Sequence, residues 1–107
     1  MVDDPAMPEQ RVVAQFLDEH GMRSPPAYRL LDLTAEVGEI AADAAKSSEY
    51  GGSPESLSVP EDELGDALFA LLALAEELDV DAGDALETSL AKYEDRIDEN
   101  GDAGSGA

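Results

Sequence analysis

Apolar residues recur three and four positions apart through most of this chain, and nowhere do they alternate with polar ones over a useful length. That spacing builds helices, and the scarcity of β-branched residues argues against strands. Four helices are predicted. The first runs from about Pro8, suited to an opening turn, to His20, with Gly21 as its stop and Val12, Val13, Phe16 and Leu17 as its buried stripe. The second follows Ser24-Pro25-Pro26 and continues to about Ser48. A turn-rich stretch, Tyr50 to Ser58, comes next. The third opens at Ser58-Val59-Pro60-Glu61, where Ser58 and Glu61 have capping-box spacing, and runs to about Leu78. The fourth begins after Asp81 and continues to about Asp98, with Ala82, Leu86, Leu90, Tyr93 and Ile97 at helical spacing. Residues 1–7 and 99–107 carry no apolar pattern, so the expectation is a flexible N-terminus, one all-α domain over 8–98, and a disordered C-terminal tail.

Charge changes the picture. The 107 residues hold 26 Asp and Glu against 6 Lys and Arg, a formal net charge of −20. Leu, Ile, Val and Phe number only 23, so composition alone leaves disorder open and the helical periodicity decides for a folded chain. The surface resembles that of proteins from salt-accumulating archaea, whose self-repulsion is screened by molar salt, and a halophilic source is expected. Most carboxylates are then solvating surface, and a functional one must be identified by position. The six cations are scattered and the field repels phosphate backbones, which argues against nucleic-acid polymers as partners. There is no Cys and a single His, His20, so disulfides, thiolate chemistry and His-rich metal sites are excluded. The longest apolar run, Ala67 to Ala75, is nine residues, far short of the roughly 20 that span a bilayer. With no basic and apolar leader at the start, the expectation is a cytoplasmic protein with no membrane partner.

Position singles out two helices. At about 100° per residue, Asp32, Glu36, Glu39 and Asp43 form one acidic file on the second helix, whose remaining girth from Leu30 to Ala45 is mostly apolar. Such a file is costly. Partly desolvated like charges call for protonation, cations or a metal ion. On the third helix Glu63 and Asp66 stand three apart, and the nine-residue apolar run follows at once, placing that helix centrally in its bundle. If the two helices pack antiparallel, Glu36-x-x-Glu39 and Glu63-x-x-Asp66 face each other as a cage of four carboxylates. Oxygen-only ligands select hard cations, so Mg²⁺ is the expected cofactor, with Mn²⁺ as a substitute. A cation there would neutralise the cage and attract a polyphosphate.

The segments Leu33-Thr34-Ala35-Glu36-Val37-Gly38-Glu39-Ile40, Glu61 to Leu71 and Ala91-Lys92-Tyr93-Glu94-Asp95-Arg96 resemble the MazG-like nucleotide pyrophosphohydrolases over roughly 24–97. The signature is ExxE followed after a variable gap by ExxD. The resemblance implies an all-α enzyme, a dimer or dimer of dimers, which uses Mg²⁺ to cleave a nucleoside triphosphate between its α and β phosphates. It makes Glu36, Glu39, Glu63 and Asp66 the metal ligands and catalytic residues, in agreement with the helical geometry. Lys92 and Arg96 align with the family's basic positions and become candidates for phosphate contact. Two departures stand out: many relatives carry Glu where this chain has Ala35, and often Lys where it has Asp32. Tyr28 and Tyr50 are the accessible aromatics that could stack on a base.

The sequence thus predicts a four-helix chain forming an antiparallel bundle completed by dimerisation, since four modest, Ala-rich helices cannot hide their apolar faces in one thin layer. The leading function is a Mg²⁺-dependent nucleoside triphosphate pyrophosphohydrolase releasing monophosphate and pyrophosphate. Alternatives are phosphoribosyl-ATP pyrophosphohydrolase of histidine synthesis, a non-catalytic metal or nucleotide binding module, and a purely structural acidic bundle.

Overall fold

The computed structural model describes residues 2–101 and 104; the expectation of a disordered tail falls largely on residues outside these. The described chain is helical throughout, with α1 (Pro8–Glu19), α2 (Pro26–Ser47), α3 (Glu61–Glu77) and α4 (Ala82–Asn100), and one short 3-10 helix at Pro54–Ser56. No strand occurs among the described residues.

The three corners between helices share one device. After α1, α2 and α3 the chain turns through a left-handed residue, Gly21 (φ 61°), Glu49 (φ 53°) and Asp79 (φ 58°) respectively. The following N–H then reaches back to an orphan carbonyl of the last turn: Met22 to Leu17, Tyr50 to Ala45, and Val80 to Ala75. The first corner places a glycine there, the second continues the positive-φ run through Tyr50 (φ 57°) and Gly51 (φ 90°), and the third relies on Asp79. The α3 start differs from its sequence signature. Ser58 does not cap; its N–H and carbonyl are both engaged by the Ser47 hydroxyl, at 2.7 and 3.0 Å, and the helix begins at Glu61 after Pro60. A residue before proline is pushed out of the helical region, so Val59 cannot enter a helix capped by Ser58. At α4, Asp81 caps by accepting from the Asp84 N–H at 3.0 Å, and Gly101 closes the helix in a left-handed conformation.

The core is small and lies between α1 and α3. Val13 and Leu17 meet Leu72 and Ala73, with Met7, Phe69 and Ala82 packed around them. Phe16 stands edge-on to Phe69 at 5.8 Å. Beside this core runs a buried polar seam. Gln10, fully buried, donates to Glu76 Oε2 and to the Val80 carbonyl, both at 2.9 Å, while its own oxygen accepts from the Ala82 N–H at 2.8 Å. Arg23 pairs with Asp18 at 2.8 Å and reaches Glu76 and Glu77 at 3.3 Å. These bonds satisfy the backbone of the corner between α3 and α4 and fix α1 against it. Gly83 permits the N-terminal segment to close on α4: a Cβ there would lie 2.8 Å from the Ala6 side chain.

The third helix is central, as its all-round apolar character requires: α1 packs on one side of it and α2 on another. The second helix is not covered on several sides within one chain. Leu30, Leu31 and Val37 are more than half exposed, because among the described residues α2 packs extensively only on α3. The fourth helix makes no more than marginal contact with the others, and Leu86, Leu90, Tyr93 and Ile97 remain 40–51% exposed along its stripe. The radius of gyration is 16.7 Å, against about 13 Å for a compact chain of this length.

Candidate functional site

The acidic file of α2 lies along its contact with α3. Glu36, Asp43 and Glu63 are half-buried, and Glu39 and Asp66 are exposed. The carboxylates interact across the seam in two groups. Around Glu36, burial first, and then the charges of Glu39 and Asp66, hold its carboxyl above the usual range. Around Glu63, a hydrogen bond with Asp43 first, then burial and the charges of Asp43 and Glu39, push its carboxyl up to about 7. Glu39 acts on both. Residues ascending α2 from Glu36 to Asp43 therefore meet residues descending α3 from Asp66 to Glu63.

Two oxygens of this set are shielded from solvent without a hydrogen-bond donor, Glu36 Oε2 and Glu63 Oε2, one from each helix. Buried carboxylate oxygens lacking a donor favour either a proton or a cation. The donor set is all oxygen, which suits a hard divalent ion rather than a soft one. Among the described residues no three acidic side chains converge closely enough to hold a metal ion as they stand.

Beside Glu36 opens a cleft of about 200 Å³, lined by Met22, Arg29, Asp32, Glu36, Asp66 and Phe69, with Ala70 at its base. Arg29 is 5% exposed. It donates through one terminal nitrogen to the Met22 carbonyl and stands 3.6 Å from Asp32 through the other. In the sequence Arg29 is only one of six scattered cations. A cation one turn before Asp32 on the acidic face was the available signal. Asp43 was part of the acidic file but fell outside the ExxE spacing, and its partnership with Glu63 depends on how two helices align.

The remaining sequence candidates are placed elsewhere. Lys92 and Arg96 flank the Tyr93 ring at 5.3 and 5.9 Å, on the helix that stands away from the seam, and neither makes an ion pair among the described residues. Tyr28 and Tyr50 are 61% and 81% exposed. Tyr28 lies on α2 two turns before Glu36 and outside the cleft lining. Thus Glu36, Glu39, Glu63 and Asp66 share one seam, and one chain does not bring Lys92 and Arg96 to it.

Residues 26–100 match the family model of the MazG nucleotide pyrophosphohydrolase domain. The uncharacterized protein YpjD of Bacillus subtilis (strain 168) is 33% identical over 90 residues, which cover 80% of this chain and 77% of that protein. No solved structure matches the chain. The matched span takes in α2, α3 and α4 whole, with both halves of the acidic seam, and on that ground the chain belongs to the MazG nucleotide pyrophosphohydrolase domain family.

Proposed function

We propose that this protein is a Mg²⁺-dependent nucleoside triphosphate pyrophosphohydrolase that cleaves between the α and β phosphates. Membership of the family supports a nucleotide substrate and a pyrophosphohydrolase reaction. The observation that carries the metal and the reaction is the pair of shielded, donorless oxygens, Glu36 Oε2 and Glu63 Oε2, one from each of the two helices that form the seam.

Glu36, Glu39, Glu63 and Asp66 are the residues that would hold the ion, with Mn²⁺ as a substitute. A divalent ion supplies, when bound, charge stabilisation on phosphoryl oxygens and an acidified water. The chain's own contribution is to orient. The two half-buried glutamates each hold a shielded oxygen on the seam, and exposed Glu39 and Asp66 would add carboxylate oxygens toward the ion. Leu71 and Leu74 of α3, Leu78 just beyond it and Leu86 of α4 line an apolar cleft of about 340 Å³, which supports a second copy completing an antiparallel bundle. Lys92 and Arg96 are assigned to the phosphates, and Tyr28 to the nucleoside, within that assembly. A cytoplasmic location, where nucleoside triphosphates and Mg²⁺ abound, follows from this reading.

The test is pyrophosphate release from a nucleotide panel with Mg²⁺ in molar potassium chloride, phosphoribosyl-ATP included. Glu39→Gln and Asp66→Asn are expected to lose turnover at least a hundredfold while keeping their helical circular dichroism, the scale of losing a pre-organised electrostatic contact. Unchanged turnover in both would remove the assignment. Ala35 and Asp32, which stand where many relatives carry Glu and Lys, favour a second reading, a binding module. It would be marked by Mg²⁺ uptake without pyrophosphate from any substrate.

A further inference from the structure

Arg29 is a guanidinium placed where a structural arginine has little reason to be. Its side chain is 7% exposed, yet the Nε atom is shielded from water and has no acceptor. One terminal nitrogen is anchored on the Met22 carbonyl. The contact to Asp32 is long, 3.6 Å, and the Asp32 side chain is 60% exposed, so this pair leaves the buried edge of the guanidinium unsatisfied. A buried charged donor without its acceptor is costly, and the cost is relieved when an anion binds. The position is anchored from behind: Arg23, paired with Asp18, Glu76 and Glu77, lies next to Met22, whose carbonyl holds Arg29.

The surroundings restrict the anion. Met22, Phe69 and Ala70 supply apolar wall, which strengthens any charge interaction inside the cleft. Asp32, Glu36 and Asp66 line the same cleft and would repel a lone carboxylate or chloride. An anion tolerated there must share its charge with a cation on those carboxylates while offering another oxygen to Arg29. A chain of phosphoryl groups does both. Arginine suits the task because its planar fork can keep Met22 on one edge and take a phosphoryl oxygen on another.

We propose that Arg29 is the anion-contacting residue of this cleft, donating to a phosphoryl oxygen of the polyphosphate whose neighbouring oxygens are held at the acidic seam. The inference deepens the hydrolase reading and rests on it for the identity of the ligand. It also places a cationic contact on α2, one turn before Asp32, independent of Lys92 and Arg96 on α4.

The probe is inorganic pyrophosphate with Mg²⁺, titrated calorimetrically into the full chain in molar potassium chloride. The chains compared are wild type, Arg29→Lys and Arg29→Gln, with Mn²⁺ alone titrated in parallel. Pyrophosphate affinity is expected to fall about tenfold in Arg29→Lys and further in Arg29→Gln, the size of losing a charge-assisted hydrogen bond. The KM for the best triphosphate should rise in step, and Mn²⁺ affinity without pyrophosphate should fall by less than twofold. Circular dichroism checks folding; if Arg29→Gln fails to fold, the charge-conserving lysine variant carries the comparison. Pyrophosphate affinity within twofold of wild type in a folded variant would overturn the proposal. So would an equal loss of Mn²⁺ affinity, which would make Arg29 a support for the carboxylates alone, and so would a wild type that binds no pyrophosphate. Arg29-dependent pyrophosphate binding with no turnover of any triphosphate would sink the hydrolase reading and leave the Arg29 contact standing.

Discussion

Glu63 is the carboxyl of the seam whose surroundings most favour a retained proton. A hydrogen bond with Asp43, burial and the charges of Asp43 and Glu39 push it up to about 7 in the folded chain, against 4.5 when unperturbed. Between those values the folded state keeps a proton that the unfolded state has released. Its contribution to stability is therefore complete below pH 4.5 and is lost as pH rises through about 7. Self-repulsion among the other carboxylates acts in the same direction, so the informative quantity is a difference. In chelator and molar potassium chloride, the unfolding midpoint of wild type should fall more steeply from pH 5 to pH 8 than that of Glu63→Gln; parallel curves would show that Glu63 is not the group. Because cation binding requires the ionised form, Mg²⁺ affinity should rise over the same interval. The ExxE and ExxD spacing was legible because helical periodicity alone puts residues three apart on one face. The bond from Glu63 to Asp43 and the burial of Arg29 were not, since each depends on the neighbouring element.

At the scale of elements, helix existence followed from period and punctuation, and the differences lie at the ends. Ser58 looked like a cap by spacing, but Pro60 and the Ser47 hydroxyl claim that stretch. The α2 corner begins its reversal at Glu49 and carries it through Tyr50 to Gly51, because the carbonyls left open by the last turn set where the reversal starts. Two glycines inside helices give a test. A Cβ added at Gly38 of α2 or Gly65 of α3 would meet nothing within 4 Å. In an isolated chain each Gly→Ala change should stabilise by about 0.5–1 kcal/mol, since alanine loses less backbone entropy in a helix. The check is chemical denaturation at protein concentrations spanning association. Stabilisation when dilute, with weakened association when concentrated, would place a second copy's backbone at these positions.

For the whole molecule, a net charge of −20 sits beside a core of modest size and apolar side chains left open on α2 and α4. The two facts are coupled: burying those side chains against a second copy brings two acidic chains together, which salt must screen. Sedimentation in molar potassium chloride is expected to show a dimer or larger assembly. Leu90→Asp should shift it to monomer with little change in single-chain helicity, because Leu90 is half exposed within one chain. A stable wild-type monomer at micromolar concentration would contradict this. The unfolding midpoint should also climb from dilute buffer to molar salt; an unchanged midpoint would leave the charge without its halophilic explanation. No helix among the described residues is long and apolar enough to cross a membrane.

Sequence by itself determined the helical class, the approximate span of each helix, the acidic spacing on two of them and the resemblance that points to nucleotides. All of these depend on residues within a few turns of one another, where helical geometry is a fixed rule. Only the tertiary structure decided that Asp43 lies beside Glu63, that Arg29 is buried in the lining of a cleft with an unused donor, and that α4 makes only marginal contact with the other helices. Those outcomes depend on the alignment of one helix against another, which is set by side-chain packing and hydrogen bonds between residues distant in the chain.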